Sequence, residues 1–223
     1  MTTAGDARGG SGDARGGAGG DARSGAGGDA RRRAGGETGG VAGLVLAAGA
    51  GTRFGGEVKL LADLSGRPVL QHVVDAATAA LPRVVVVLGA RAEEVRTAVA
   101  FGKAEVVVAE RWADGQSASL RAGLDALESA EKVVVLLGDQ PLVTPELVRR
   151  FAAQPGGARA ANNGSPRHPA VLGPDEIAAA RQATGDQGLR DLRWRLLEVD
   201  APLTDIDTRE DLEAIRREAR AIV

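Results

Sequence analysis

Three runs of apolar residues limit what this chain can fold into more than anything else in it. Val41–Ala47, Val84–Leu88 and Val133–Leu137 are built almost wholly of Val, Leu and Ala, with no polar residue in alternation. Short unbroken runs of this kind read as strands covered on both faces, as in a parallel sheet. Segments of helical length lie between them. The strand candidates are Val41–Ala47, Arg83–Leu88, Glu105–Ala109, Val133–Leu137, Ala158–Ala161, Pro169–Leu172 and Leu196–Val199. The helix candidates are Pro68–Ala80, Ala92–Ala100, Ser117–Ser129, Pro145–Ala153, Pro174–Ala183, Gly188–Arg193 and Arg209–Ile222. Two helix starts carry their own signals. Thr144-Pro145 places a capping hydroxyl before a proline at the first helical position. Thr208 with Asp211 resembles a capping box. Strands alternating with helices imply an α/β, three-layer, Rossmann-like domain: a mainly parallel sheet with helices on both faces. Ligands of such sheets bind beyond the carboxyl ends of the strands. The loops after Ala47, Ala109 and Leu137 are therefore expected to converge on one cleft.

Residues 1–40 differ from the rest. Gly-Asp-Ala-Arg recurs from Gly5, Gly12, Gly20 and Gly28, spaced by Gly, Ser and Ala. Such a stretch has almost no apolar surface to offset its chain entropy, and it reads as a disordered tail before a single domain at 41–223.

Composition removes several kinds of chemistry. With no cysteine there is no disulfide, thiolate metal site or cysteine nucleophile. Two histidines, His72 and His168, do not make a multi-histidine metal site. Any metal is expected to be oxygen-bound, which favours magnesium or manganese. A formal charge of -2 and 2% aromatic residues give neither a basic surface nor stacking platforms for nucleic acid. No apolar run reaches membrane-spanning length, and the N-terminus lacks the apolar core of a signal peptide, so the expectation is a cytoplasmic protein without a membrane partner.

The first strand runs into Leu46-Ala47-Ala48-Gly49-Ala50-Gly51-Thr52-Arg53-Phe54-Gly55, with Lys59 beyond. Small residues let backbone N–H groups approach an anion, and Arg53 and Lys59 add two cations, which suits a triphosphate. The glycine spacing misses the dinucleotide fingerprint, and no P-loop Gly-Lys-Ser/Thr occurs. Val133–Leu137 leads into Gly138-Asp139-Gln140-Pro141, which sets a carboxylate at a strand end, a place where it can hold a phosphate-bound metal. Gly115–Leu124 opens a helix with Ser117 and Ser119, whose N–H groups and hydroxyls are expected to face the cleft. Asp205-Ile206-Asp207-Thr208 offers two aspartates beside a capping threonine. Asn163–Pro169 is a polar turn that carries His168.

Taken together, these segments resemble the nucleotidyltransferases of the molybdenum-cofactor group, MobA-like NTP transferases with a nucleotide-diphospho-sugar transferase fold. The resemblance covers residues 41–215. Leu46-Ala47-Ala48-Gly49 and Gly138-Asp139-Gln140-Pro141 are similar to the molybdenum cofactor cytidylyltransferase branch. Arg209 stands where the family commonly has proline, and Ala118 where it commonly has a third serine. The resemblance implies transfer of CMP from CTP to the phosphate of molybdopterin, with release of pyrophosphate. It assigns Arg53, Lys59 and Asp139 to catalysis. It assigns Leu46, Ala47, Ala48, Gly49, Gly51, Ser117, Ser119, Arg121 and His168 to substrate binding, and Asp139 and Asp207 to Mg2+ or Mn2+. A molybdenum hydroxylase that receives the product is the implied protein partner. Three alternatives stay open at this stage: a GTP-using relative, an enzyme acting on a sugar phosphate or phospholactate, and a carrier that inserts the finished cofactor.

Overall fold

The computed structural model describes residues 40–221. The disordered-tail reading of residues 1–40 and the last predicted helical residue, Ile222, lie outside them, Gly40 excepted.

In chain order the strands and helices are β1 (Val41–Ala47), β2 (Asp63–Leu64), β3 (Arg67–Pro68), α1 (Val69–Ala80), β4 (Arg83–Leu88), α2 (Ala92–Ala98), β5 (Glu105–Val108), α3 (Gln116–Ala126), β6 (Lys132–Leu137), α4 (Pro145–Ala152), β7 (Ala158–Asn162), β8 (Ser165–Leu172), α5 (Pro174–Gln182), β9 (Arg195–Glu198) and α6 (Arg209–Ala221). Seven strands form one sheet in the order β5-β4-β1-β6-β8-β7-β9. Only β8 runs against its neighbours, β6 and β7. The fold is thus the expected α/β type with a mostly parallel sheet.

The apolar runs are continuous because each strand feeds two cores. Val45, Val86, Val134 and Leu136 face α1 and α4, where they meet Leu70, Val74, Val148 and Phe151. Leu44, Val85, Val87 and Val135 face α3 and α5, where they meet Leu120, Leu124 and Ala180. Successive strand residues point to opposite faces, so a helix layer on each side demands an apolar residue at every position. A third, smaller cluster joins Phe54, Leu64 and Val69 to Ile206, Leu212 and Ile215 of the C-terminal region. It fastens α6 beside the first loop.

Both capping signals hold. Leu147 N–H donates to Thr144 Oγ1 at 3.2 Å. Asp211 Oδ2 accepts from the N–H groups of Asp207 and Thr208, while Asp211 N–H donates to Thr208 Oγ1. Three expectations need correcting. The predicted helix Gly188–Arg193 is a series of turns, since Gly188 adopts φ +52° and a six-residue stretch cannot repay helix nucleation. Pro68 belongs to β3 rather than to α1, which starts at Val69. The β2–β3 ribbon, closed by Ser65 and Gly66 with positive φ, is too short to show a period in sequence.

Candidate functional site

The loop after β1 is shaped by glycines at two places where no other residue fits well. Gly51 has φ +60°, and a Cβ there would lie 3.1 Å from Lys59 Cγ. The missing side chain lets the lysine stem lie against the loop. Lys59 itself starts a 3-10 turn anchored by Leu60, which is buried in the core. Gly55, at φ +86°, ends the Thr52–Phe54 turn. Arg209, the residue that departs from the family pattern, sits over the Phe54 ring at 5.7 Å and pairs with Glu57 at 2.9 Å. It helps tie the loop to α6.

Lys59 Nζ reaches two carboxylates, Asp139 Oδ2 at 2.5 Å and Asp207 Oδ1 at 3.2 Å. Arg53 meets the other oxygen of Asp207 at 2.9 Å. The Lys59 side chain is only 12% exposed. Burial disfavours its charge, but Asp139 and then Asp207 outweigh this and hold its pKa above the ordinary lysine value. The C-terminal carboxylates are placed by backbone and side chain together. Ile206 N–H donates to Asp139 O at 3.0 Å, and Gln140 Nε2 donates to Asp205 Oδ1 at 2.6 Å. Burial, then the nearby charge of Asp139, raises the Asp205 pKa in spite of the Gln140 hydrogen bond.

Lys59 and Asp139 lie on a cleft of about 360 Å³ across the strand ends. Leu46, Ala47, Ala48, Gly49, Lys59, Ser119 and Asp139 all line it, and so do Trp112 and Gly115 from the loop after β5. The three loops expected to converge do so. Arg53 and Asp207 join this group through the ion pairs with each other and with Lys59.

Other site candidates lie elsewhere. Ser117 and Arg121 line a separate hollow on the β5 side of α3. The Arg121 guanidinium donates to the carbonyls of Arg181 and Ala183, so it ties α3 to the end of α5. The N–H groups expected to be free at the start of α3 are engaged. Gln116 N–H donates to Asp186 Oδ1 at 3.2 Å, and Ser117 N–H to Gly185 O at 3.0 Å. Gly115, at φ +108°, permits this contact, since a Cβ there would be 2.4 Å from Gly185 C. His168 is 7% exposed and lines a neighbouring cavity of about 230 Å³ with Arg159, Arg167, Arg190 and Asp205. Burial, and then the charge of Arg159, pushes its pKa down to about 3, so the ring is neutral at physiological pH. The two cavities share Leu46, Gln116 and Leu137 as a common wall. Sequence reasoning missed Trp112 and Arg159, which stand outside the Gly- and Asp-rich motifs, and gave no individual role to Gln116 or Asp186, which lie inside them.

The family model described as the MobA-like NTP transferase domain matches residues 43–218. The chain belongs to that family. As a MobA-like NTP transferase it is a nucleotidyltransferase. The Bifunctional protein GlmU of Burkholderia thailandensis is 41% identical to it over 118 residues, which is 52% of this chain and 26% of that protein. The chain thus matches about a quarter of the length of that curated relative. A nucleotidyl transferase from Methanothermobacter thermautotroptrophicus superposes with a TM-score of 0.72 at 27% identity, over 84% of this chain and 100% of that one. Rv0371C of Mycobacterium tuberculosis, solved in complex with manganese, gives 0.67 at 28% identity, over 80% and 98%. Among the described residues of this MobA-like chain, no helix is long and apolar enough to cross a membrane.

Proposed function

We propose that the protein transfers CMP from CTP to the terminal phosphate of molybdopterin, with or without bound molybdenum, and releases pyrophosphate. The observation that carries the transfer chemistry is the Lys59 ammonium held by Asp139 and Asp207 on a cleft that Leu46–Gly49 also lines. The choice of CTP rests on the likeness of Leu46–Gly49 and Gly138–Pro141 to the cytidylyltransferase branch.

Two anions must meet for this reaction, and the residues present suit that task. Arg53 and Lys59 neutralise the β- and γ-phosphates beside the small-residue loop. An anionic acceptor fits the adjoining cavity, where Arg159, Arg167 and Arg190 supply positive charge around a neutral His168. The shared wall at Leu46, Gln116 and Leu137 brings the acceptor next to the nucleotide. An acceptor phosphate oxygen attacks the α-phosphorus. The new P–O bond forms as the bond to the β-phosphate oxygen breaks, and pyrophosphate carries away the electron pair. No covalent enzyme intermediate is needed, so the protein's work is alignment and charge neutralisation.

The donor set fits a divalent cation that takes few protein ligands. Asp139 and Asp207 already converge on one cation, the Lys59 ammonium. Among the described residues, no group of three or more acidic or histidine side chains forms a complete cage. Mg2+ or Mn2+ takes its remaining ligands from water and phosphate, and when held by Asp139 and Asp207 it would neutralise charge at the α-phosphate and leaving group. The manganese complex of the M. tuberculosis relative supports the choice of a divalent cation. A molybdenum hydroxylase is the proposed recipient of the product.

The test is pyrophosphate release with CTP, GTP, ATP or UTP, each with molybdopterin or with sugar phosphates as acceptor. Release with CTP and molybdopterin is expected. Preference for GTP would replace the nucleotide, and release with a sugar phosphate alone would replace the acceptor. Binding of finished cofactor without turnover would point to a carrier.

A further inference from the structure

We propose that Trp112 is the platform on which the nucleobase stacks; this rests on the nucleotidyltransferase reading and specifies its base end. The chain has two tryptophans, three phenylalanines and no tyrosine. Trp112 is the one aromatic side chain among the described residues that lines the 360 Å³ cleft. Phe54 and Phe151 are buried in cores. Trp194 is already engaged on both counts. Its indole N–H donates to Leu189 O at 3.0 Å, and Arg159 lies over its ring at 5.4 Å. Trp112 makes no comparable contact among the described residues, and no buried side-chain N or O lacks a partner, so its indole N–H opens to solvent.

The position is built rather than incidental. Trp112 begins the 3-10 turn after β5 and packs partly on the core cluster that contains Ala48 and Ala109. Gly89, just past β4, makes room for it. A Cβ on Gly89 would lie 2.6 Å from both Ala48 O and Trp112 Cβ. The indole is therefore held against the same loop that carries Leu46–Gly49.

Sheet order sets its distance from the charged end. Asp139 follows β6, and Trp112 follows β5 while packing beside the end of β4. The order β5-β4-β1-β6 puts two to three strand spacings between them. At about 4.8 Å per spacing, that is roughly 10–14 Å. A nucleotide laid across the strand ends, with its phosphates at Lys59, brings its base to Trp112. An indole that lines the cleft while packing partly on a core is the kind of side chain a flat base stacks on.

Having only two tryptophans makes the test direct. CTP with magnesium, without acceptor, should quench the fluorescence of the wild type and of Trp194→Phe, and fail to quench Trp112→Leu. The Kd for CTP should rise roughly tenfold in Trp112→Leu, within the range that base–aromatic stacking provides. Trp112→Phe should recover most of that loss. Inorganic tripolyphosphate has no base, so its Kd should be the same in wild type and Trp112→Leu. Unchanged CTP binding in Trp112→Leu would overturn the proposal, as would an equal loss of tripolyphosphate binding. The reading beneath it fails in a different way: a wild type that binds tripolyphosphate but no nucleoside triphosphate. Quenching by GTP or ATP instead of CTP would change the choice of base and still support the platform, because stacking accepts any base.

Discussion

Lys59 Nζ lies 2.5 Å from Asp139 Oδ2, across 80 residues of sequence. Asp207 meets the same nitrogen from 148 residues away. The family resemblance implies a common metal for the two aspartates and a phosphate for the lysine. In the structure all three share one point, so a metal held by these carboxylates would have to compete with the lysine for them.

Asp139→Asn keeps the shape of the turn and removes its charge. Pyrophosphate release should fall at least ~100-fold, or roughly 2.7 kcal/mol of transition-state stabilisation. Asp207→Asn should behave alike, and the double variant should be little worse than either single one, because the groups act as a unit. Thermal melts should show a folded protein, since each single variant leaves Lys59 one carboxylate. Full turnover in Asp207→Asn would shift the role to Asp205.

Lys59→Met removes the built-in cation. Manganese binding without nucleotide, read by calorimetry, should then tighten by roughly tenfold, or about 1.4 kcal/mol. Turnover should fall all the same, because the phosphates lose a neutralising charge. Weaker metal binding in this variant would mean that Lys59 organises the carboxylates rather than competing for them.

Arg121 was expected beside the substrate, but its guanidinium holds two carbonyls at the end of α5. Arg121→Ala should lower stability by about 2 kcal/mol, since hydrogen bonds from a charged donor are worth about that much. Nucleotide affinity should stay within twofold of wild type. A large rise in Kd with an unchanged melting temperature would return Arg121 to the substrate.

His168 gives the protein an acid-sensitive limb. Its folded-state pKa is about 3, against an ordinary value of 6.5. Between these two values the unfolded chain takes up a proton that the native state refuses. Stability should therefore fall by about 1.4 kcal/mol per pH unit as pH drops below 6.5, from this group alone. Above pH 6.5 the residue contributes no pH dependence. His168→Gln should flatten that limb in urea titrations at pH 4–7, and an unchanged slope would show that another group sets it.

The sheet was legible because covering it on both faces leaves no room for polar residues, as in Val84–Leu88 and Val133–Leu137. Strand ends follow from strands, so the meeting of the Leu46, Asp139 and Gly115 loops was legible too. The 188–193 turns were not, because Leu189 and Leu192 mimic a helical spacing that Gly188 breaks. Nor was the engagement of the α3 N-terminus by Gly185 and Asp186. A glycine that admits a distant loop looks, in sequence, like one that admits a ligand. Nor is Trp112 legible, because a single aromatic carries no period and no motif.

β8 is the one reversed strand in the sheet, and the reversal decides which of its ends meets the cleft. The parallel strands deliver their C-terminal loops there, whereas β8 delivers its first residues, Ser165 to His168. Arg167 and His168 therefore reach the second cavity on a hairpin with β7 whose other end sits away from Leu46–Lys59. On the proposed reading its tip sets the acceptor, and a change of length or charge there would alter that cavity without touching Leu46–Lys59.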